Sequence, residues 1–188
     1  MILLVDNGSS SIINLIEKIK FIDNKIRVIK NTDVNQVEKI KGIILSGRSI
    51  YSAETNRENF KIIRKAYNSE IPILGICFGA EILAATFGGT LQKMERPIKE
   101  YRRINIIKEN KLIKIKSFRA FESHGYKIFR LPRDFERIGV SGVSENEVIK
   151  HREKQIYGVQ FHPEISGRMG LRILKNFIGI CNLKKGNC

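Results

Sequence analysis

At 188 residues, 42% of them hydrophobic, the chain is long enough for one substantial core and is expected to form a single domain over residues 1–188. No apolar run approaches the roughly eighteen residues of a membrane span, the opening MILLVDNGSS has no leader-like pattern, and three cysteines are an odd number that fits reduced thiols, so a cytoplasmic protein is expected. A net charge of +15 points first to nucleic acid, yet the cations are scattered among isoleucines in KIIRKAYN, YRRINIIKENKLIKIK and LRILKNF, without zinc spacing, RNP-like aromatics or a helix-turn-helix signal; specific nucleic-acid binding is set aside in favour of a basic surface for an acidic partner or anionic substrate.

In chain order, MILLVDN (1–7) predicts a strand, and SSSIINLIEKIKFI a helix with serine caps and Ile12, Ile13, Ile16 and Ile19 at helical spacing. KIRVIKN (25–31) alternates as a strand, the stretch around VNQVEKI suggests a short helix, and KGIILSG (41–47) is an apolar strand ending at glycine. Residues 56–68 predict a helix with Phe60, Ile63 and Tyr67 on one stripe; IPILGIC (71–77) is a buried strand, and AEILAATFGG (80–89) a helix stopped by paired glycines. Such alternation specifies an α/β fold: a mostly parallel central sheet with helices on both faces and functional loops at the strands' carboxyl ends. The second half reads as strands (TLQKM, EYRRINIIKE, KLIKIK, RAFESHGYKI, ERIGVSG, NEVIKHR, IYGVQF), a smaller antiparallel elaboration, before a last helix over 167–180.

The segment Gly75-Ile-Cys77-Phe-Gly79 has the form G-x-C-x-G, the thiol counterpart of the strand-to-helix turn that lifts a nucleophile above a sheet. Its glycines permit close backbone approach, and the start of the following helix turns N–H groups and positive dipole toward the sulfur, favouring thiolate. A nucleophilic cysteine needs a base, and the chain offers three histidines. His151, in the charged run IKHREK, reads as a solvated residue. His124, in ESHGY, precedes a glycine and is placed to line a site. His162 follows the apolar strand IYGVQF, where α/β sheets present catalytic groups, and in extended chain Glu164, two residues on, faces the same way and accepts its second ring N–H. Cys77, His162 and Glu164 are therefore the candidate triad. The Phe121, Tyr126 and Phe129 cluster is expected to be core or pocket wall, and neither Cys181 nor Cys188 has metal-ligand spacing, so no metal is implied.

With these residues in view, ILGICFGAEILAATFGG and YGVQFHPE resemble the class I, or triad, glutamine amidotransferases, whose fold is flavodoxin-like, and IILSG (43–47) and ESHGYKI (122–128) fall where that family has its other site loops. The resemblance implies that Cys77 attacks the side-chain amide of glutamine, that His162 moves the proton to ammonia, and that Glu164 orients the imidazole. It places oxyanion donors at Phe78 and at Arg48, and substrate-binding groups at Gly47, Glu81, Ser123, His124 and Gly125. LLVDNGSS and the SHG region are most similar to glutaminase subunits of archaeal-type two-subunit GMP synthases, which implies a separate synthetase (ATP pyrophosphatase) subunit carrying ATP and Mg, with no cofactor in this chain; it has no phosphate-loop or dinucleotide signature. A glutaminase for anthranilate or aminodeoxychorismate synthase is the runner-up pathway.

Three positions depart from the family pattern. Arg48-Ser49 stand where glycine and proline are usual, Glu81 where a glutamine helps hold substrate, and Tyr126 near where an acidic residue follows the SH. Arg48 and Glu81 suggest a salt bridge across the site mouth or a changed substrate. An amidase or γ-glutamyl hydrolase acting elsewhere, or a catalytically weak regulatory subunit, stay open as alternatives.

Overall fold

In the computed structural model, residues 1–30 and 40–183 are described, except the side chain of residue 30. A nine-stranded sheet runs in the order β2-β1-β3-β4-β9-β8-β7-β5-β6. Its first five strands are β2 (Ile26–Lys30), β1 (Ile2–Asp6), β3 (Gly42–Leu45), β4 (Ile73–Ile76) and β9 (Ile156–Val159), all parallel. Four antiparallel strands complete it: β8 (Val148–His151), β7 (Phe135–Val140), β5 (Thr90–Ile106) and β6 (Ser117–Arg130). The parallel half and the antiparallel elaboration are those expected from the sequence, and no helix among the described residues is long and apolar enough to cross a membrane.

The apolar strand runs divide between two cores. Ile2 and Leu4 face one side with Leu15 and Ile19 of α1 (Ile12–Ile22) and Ile173, Leu174 and Phe177 of α4 (Gly167–Asn182). Leu3 and Val5 face the other with Ile62 and Ile63 of α2 (Ala53–Asn68) and Leu83 of α3 (Phe78–Thr86). Side chains alternate across a strand, so a run apolar at every position must be covered on both faces. Because β1 is flanked by β2 on one side and β3 on the other, a crevice opens at the carboxyl ends of β1 and β3, the position at which such sheets bind ligands.

Several local expectations need correction. KLIKIK is no strand: the Asn110 side chain accepts from the N–H groups of Leu112 (2.9 Å) and Ile113 (2.7 Å), a turn that drops both side chains into the core. TLQKM and the start of EYRRINIIKE belong to one strand, β5, whose pairing with β6 shifts register between Lys93 and Ile98. His151 is buried rather than solvated; its ring packs on Tyr67, Phe87 and Phe135, while Nδ1 accepts from the N–H groups of Glu153 and Lys154. Ile13 is exposed and Leu15 takes its place in the core, and Tyr126 and Phe129 are exposed rather than core. The helix suggested around VNQVEKI and the terminal Cys188 lie outside the described residues, apart from Ile40 of the former.

Candidate active site

The turn after β4 is built by close packing. A Cβ on Gly75 would stand 2.5 Å from the Gly79 carbonyl carbon and 2.7 Å from Ala80 N; one on Gly79 would stand 2.9 Å from Leu45 Cβ. Only glycine fits at either place. Between them Cys77 adopts φ 50°, ψ −110°, a left-handed strain rare for any residue but glycine. Its N–H is bonded to Val159 O (2.8 Å), which ties the elbow to β9, and α3 starts at the next residue, two earlier than the sequence suggested.

The thiol is buried and donates to the Ser123 carbonyl at 3.7 Å, with Gln160 Nε2 4.0 Å from the sulfur. Burial holds the Cys77 pKa above its ordinary value, as does the charge of Glu81; the His162 side chain and the neighbouring Phe78 N–H favour thiolate but offset this only in part.

His162 reaches this point because its backbone N–H is bonded to Phe121 O of β6 (2.8 Å). Beyond it the chain does not stay extended, as the sequence reading supposed, but turns: Ile165 N–H returns to His162 O (3.1 Å) and Ser166 N–H to Pro163 O (3.2 Å). The turn still brings Glu164 under the imidazole, where Oε1 accepts from Nδ1 at 2.7 Å. Nε2 is buried and makes no hydrogen bond of standard geometry, so it is the nitrogen open to proton transfer. Burial pulls the His162 pKa down, but interaction with the Cys77 sulfur and with Glu164 outweighs it and raises the pKa to about 10. A Cβ built on Gly47 would lie 3.1 Å from His162 Cε1 and 3.6 Å from Cys77 Cβ, so cysteine and histidine converge on this one loop.

Arg48 and Glu81 do not form the salt bridge suggested by the sequence. Glu81 is buried and accepts from Gln160 Nε2 (3.0 Å); burial raises its pKa. Arg48 turns to Asn56, donating from Nη1 to Oδ1 at 2.6 Å, and lays its guanidinium 3.7 Å over the Phe78 ring. Ser49 N–H is already bonded to Gly8 O (3.0 Å), so it is not the second oxyanion donor on this loop.

Ser123, His124 and Gly125 line the cleft of about 560 Å³ that opens over the site, together with Arg48 and His162. The His124 ring, however, is occupied within the protein: Nδ1 contacts Tyr126 O (2.7 Å) and Nε2 contacts Glu122 Oε2 (3.2 Å). Behind it lies Glu147, fully buried, accepting from Ser141 Oγ (2.8 Å); burial and the Glu122 charge raise its pKa to about 8. Among the described residues no group of three or more His, Cys, Asp or Glu is placed to hold a metal ion.

Two contributors escaped the sequence reading. Gln160, read only as part of a strand, connects Glu81 to the Cys77 sulfur. Ser11, read as a helix cap, makes no side-chain cap; its hydroxyl is donated to Glu164.

The family described as glutamine amidotransferase class-I matches residues 3–180. The glutamine-hydrolysing GMP synthase subunit of Methanococcus aeolicus is 36% identical over 97% of this chain and 98% of that protein, and its counterpart in Methanocaldococcus jannaschii is 34% identical over 98% and 99%. Among solved structures, the corresponding candidate GMP synthase subunit from Thermoplasma acidophilum superposes with a TM-score of 0.86 at 26% identity, covering 96% of this chain and 92% of the other. A glutamine amidotransferase from Thermotoga maritima, 22% identical over 99% of this chain and 85% of its own, shares the fold with a TM-score of 0.77. A cysteine elbow facing a histidine–glutamate pair across a parallel sheet, matched along nearly its whole length in this way, makes the chain a member of the class I glutamine amidotransferase family.

Proposed function

We propose that this chain is the glutaminase subunit of a two-subunit GMP synthase, with Cys77 as nucleophile, His162 as proton carrier and Glu164 as the group that orients it. The Cys77 sulfur adds to the side-chain amide carbon of glutamine, and His162, having taken the thiol proton, returns it to the nitrogen as ammonia leaves. The resulting glutamyl thioester is attacked by a water deprotonated by His162, which regenerates the thiol and frees glutamate. The amide oxygen becomes negative in both tetrahedral steps and needs fixed donors; the Phe78 N–H beside the nucleophile is one, and Arg48 N–H supplies the second from the loop after Gly47. Gly47 leaves room for the substrate over the imidazole. Ser123, His124 and Gly125 form the facing wall, with the His124 ring locking that wall in place through Glu122 and Tyr126.

Ammonia released here needs a consumer, and the ATP-using half of the reaction, with its Mg, belongs to a separate synthetase subunit that aminates XMP. The β5–β6 hairpin beside the cleft carries Lys93, Arg96, Lys99, Arg103, Arg119 and Lys127, a basic ribbon suited to an acidic face of that subunit. The observation that carries the reading is the convergence of Cys77 and His162, with Glu164 at 2.7 Å from Nδ1, in a chain whose near-full-length relatives are named as glutamine-hydrolysing GMP synthase subunits. The test measures glutamate release from glutamine, first without and then with an archaeal synthetase subunit, ATP and XMP. Activity is expected to rise with the partner and to vanish in Cys77→Ala; hydrolysis that survives this substitution would reject the nucleophile.

A further inference from the structure

The β1–α1 loop, DNGSSS, is held away from ordinary helix capping. Asn7 anchors it: its N–H donates to Ser46 Oγ (2.9 Å), Nδ2 donates to Ser46 O (3.0 Å), and Oδ1 accepts from Asn59 Nδ2 (2.8 Å). Ser10 N–H is bonded to Ser49 Oγ (3.0 Å), so the serines are fastened to the loop after β3. On this scaffold Ser11, at the start of α1, leaves the helix uncapped by its side chain and places its hydroxyl 2.6 Å from Glu164 Oε1, the oxygen that accepts from His162 Nδ1.

A hydroxyl has one proton, and a carboxylate can only accept, so the Ser11 proton lies toward Glu164. In the 3.0 Å contact between the two hydroxyls, Ser9 must then donate to Ser11, while Ser9 Oγ accepts from Ser11 N–H at 3.3 Å. The result is an ordered chain of donors, Ser9 to Ser11 to Glu164, ending on the carboxylate behind the imidazole. Both serines and Glu164 are buried, and among the described residues Glu164 Oε2 has no hydrogen-bond partner. Ser11 is thus the second donor that fixes the rotation of the carboxylate; without it, the carboxylate would be held by the imidazole alone.

We infer that Ser11 is a positioning residue for the amide hydrolysis, acting through Glu164 on His162, with Ser9 setting its proton order. The inference rests on the proposed glutaminase reading. In this arrangement Ser11 draws negative charge off Oε1 and holds it in line with Nδ1. Removing the hydroxyl leaves Oε1 with the imidazole as its one donor and less well aimed, so the imidazolium holds its proton more tightly but moves it less effectively.

The test compares the wild-type chain, Ser11→Ala, Ser11→Thr and Cys77→Ala, each with the synthetase subunit present, by glutamate release across pH and by thermal melting. Ser11→Ala is expected to lower kcat roughly tenfold, in keeping with loss of one hydrogen bond to a charged group, with KM within about twofold and the acid limb of the profile moved to higher pH. Ser11→Thr, which keeps a hydroxyl, should restore most of kcat and the original limb. An Ala variant with wild-type kcat and pH profile overturns the inference. So does a loss shared equally by Ala and Thr, or one that follows a lowered Tm with an unmoved pH profile, since either would come from packing. If hydrolysis survives Cys77→Ala, the glutaminase reading itself has failed; if Cys77→Ala is dead and Ser11→Ala is normal, only the serine relay has failed.

Discussion

Gly79→Ala tests whether the geometry of the elbow, rather than its chemistry alone, makes the site. The new Cβ would meet the Leu45 carbonyl carbon at 3.0 Å and Leu45 Cβ at 2.9 Å, with the carbonyl oxygen closer still. Comfortable carbon–carbon contact needs about 3.5–4.0 Å. Leu45 belongs to β3, which is hydrogen-bonded to β1 and β4 on its two sides, so it cannot retreat. The start of α3 must therefore move by roughly 0.5–1 Å, carrying with it the Phe78 N–H and, through the shared turn, the Cys77 sulfur. Overpacking of this kind costs about 1–3 kcal/mol of stability, while a displacement near 1 Å at reacting groups costs about 10²-fold in rate. Chemical denaturation and glutamate release on the same preparation separate the two effects: kcat is expected to fall about 100-fold in a protein that remains folded. The Cys77 thiol should also react at an altered rate with iodoacetamide. Gly88→Ala, at φ 90° with nothing within 4 Å of the added carbon, is the control, expected to lose about 1 kcal/mol and little activity. A Gly79→Ala protein with wild-type stability and kcat would refute the claim that close approach dictates this glycine.

Two further outcomes follow from the charges around the cleft. Glu147 keeps its proton in the folded chain up to about pH 8 but would lose it near the ordinary carboxylate value of 4.5 when unfolded. The folded state thus binds the extra proton between those values, and stability from this group is full below pH 4.5 and lost as pH rises toward 8, by up to about 1.4 kcal/mol per pH unit. Denaturation followed between pH 5 and 8 should show that slope in the wild type and a flatter line in Glu147→Gln; identical slopes would mean that Glu147 ionises normally. The double variant Arg48→Gly, Glu81→Gln should retain glutamine hydrolysis within a few-fold, because the substituted amide still offers a carbonyl to Gln160 Nε2 and Arg48 is paired with Asn56 rather than Glu81. A large gain in glutaminase activity would show instead that the site has diverged toward another substrate.

What the sequence by itself determined is everything that local pattern encodes. Four-residue apolar runs such as GIIL and ILGI have no solvent-facing position, so they specify strands covered twice, and the G-x-C-x-G spacing specifies a sharp strand-to-helix turn before any coordinates are known. Cys77 and His162 drew attention for the same reason, each standing beyond such a run, whereas Glu164 was reached by assuming extended chain after His162, and it is a turn that brings it to the imidazole. Where a side chain's own hydrogen bonds outweighed periodicity, the reading failed: Asn110 folded KLIKIK into a turn, and the ring contacts and acceptor role of His151 buried a residue that its charged neighbours had marked as solvated. Pairings between distant segments were beyond reach altogether. Ser11 and Glu164 are 153 positions apart, and Gln160 and Glu81 are 79 apart; nothing in either neighbourhood names the other. Arg48 illustrates the same limit, since charge alone suggested Glu81, while the direction of its loop delivered it to Asn56 and the Phe78 ring. Which donor meets which acceptor is decided only when the sheet sets the distances, because a hydrogen bond is lost over a few tenths of an ångström that no residue spacing records.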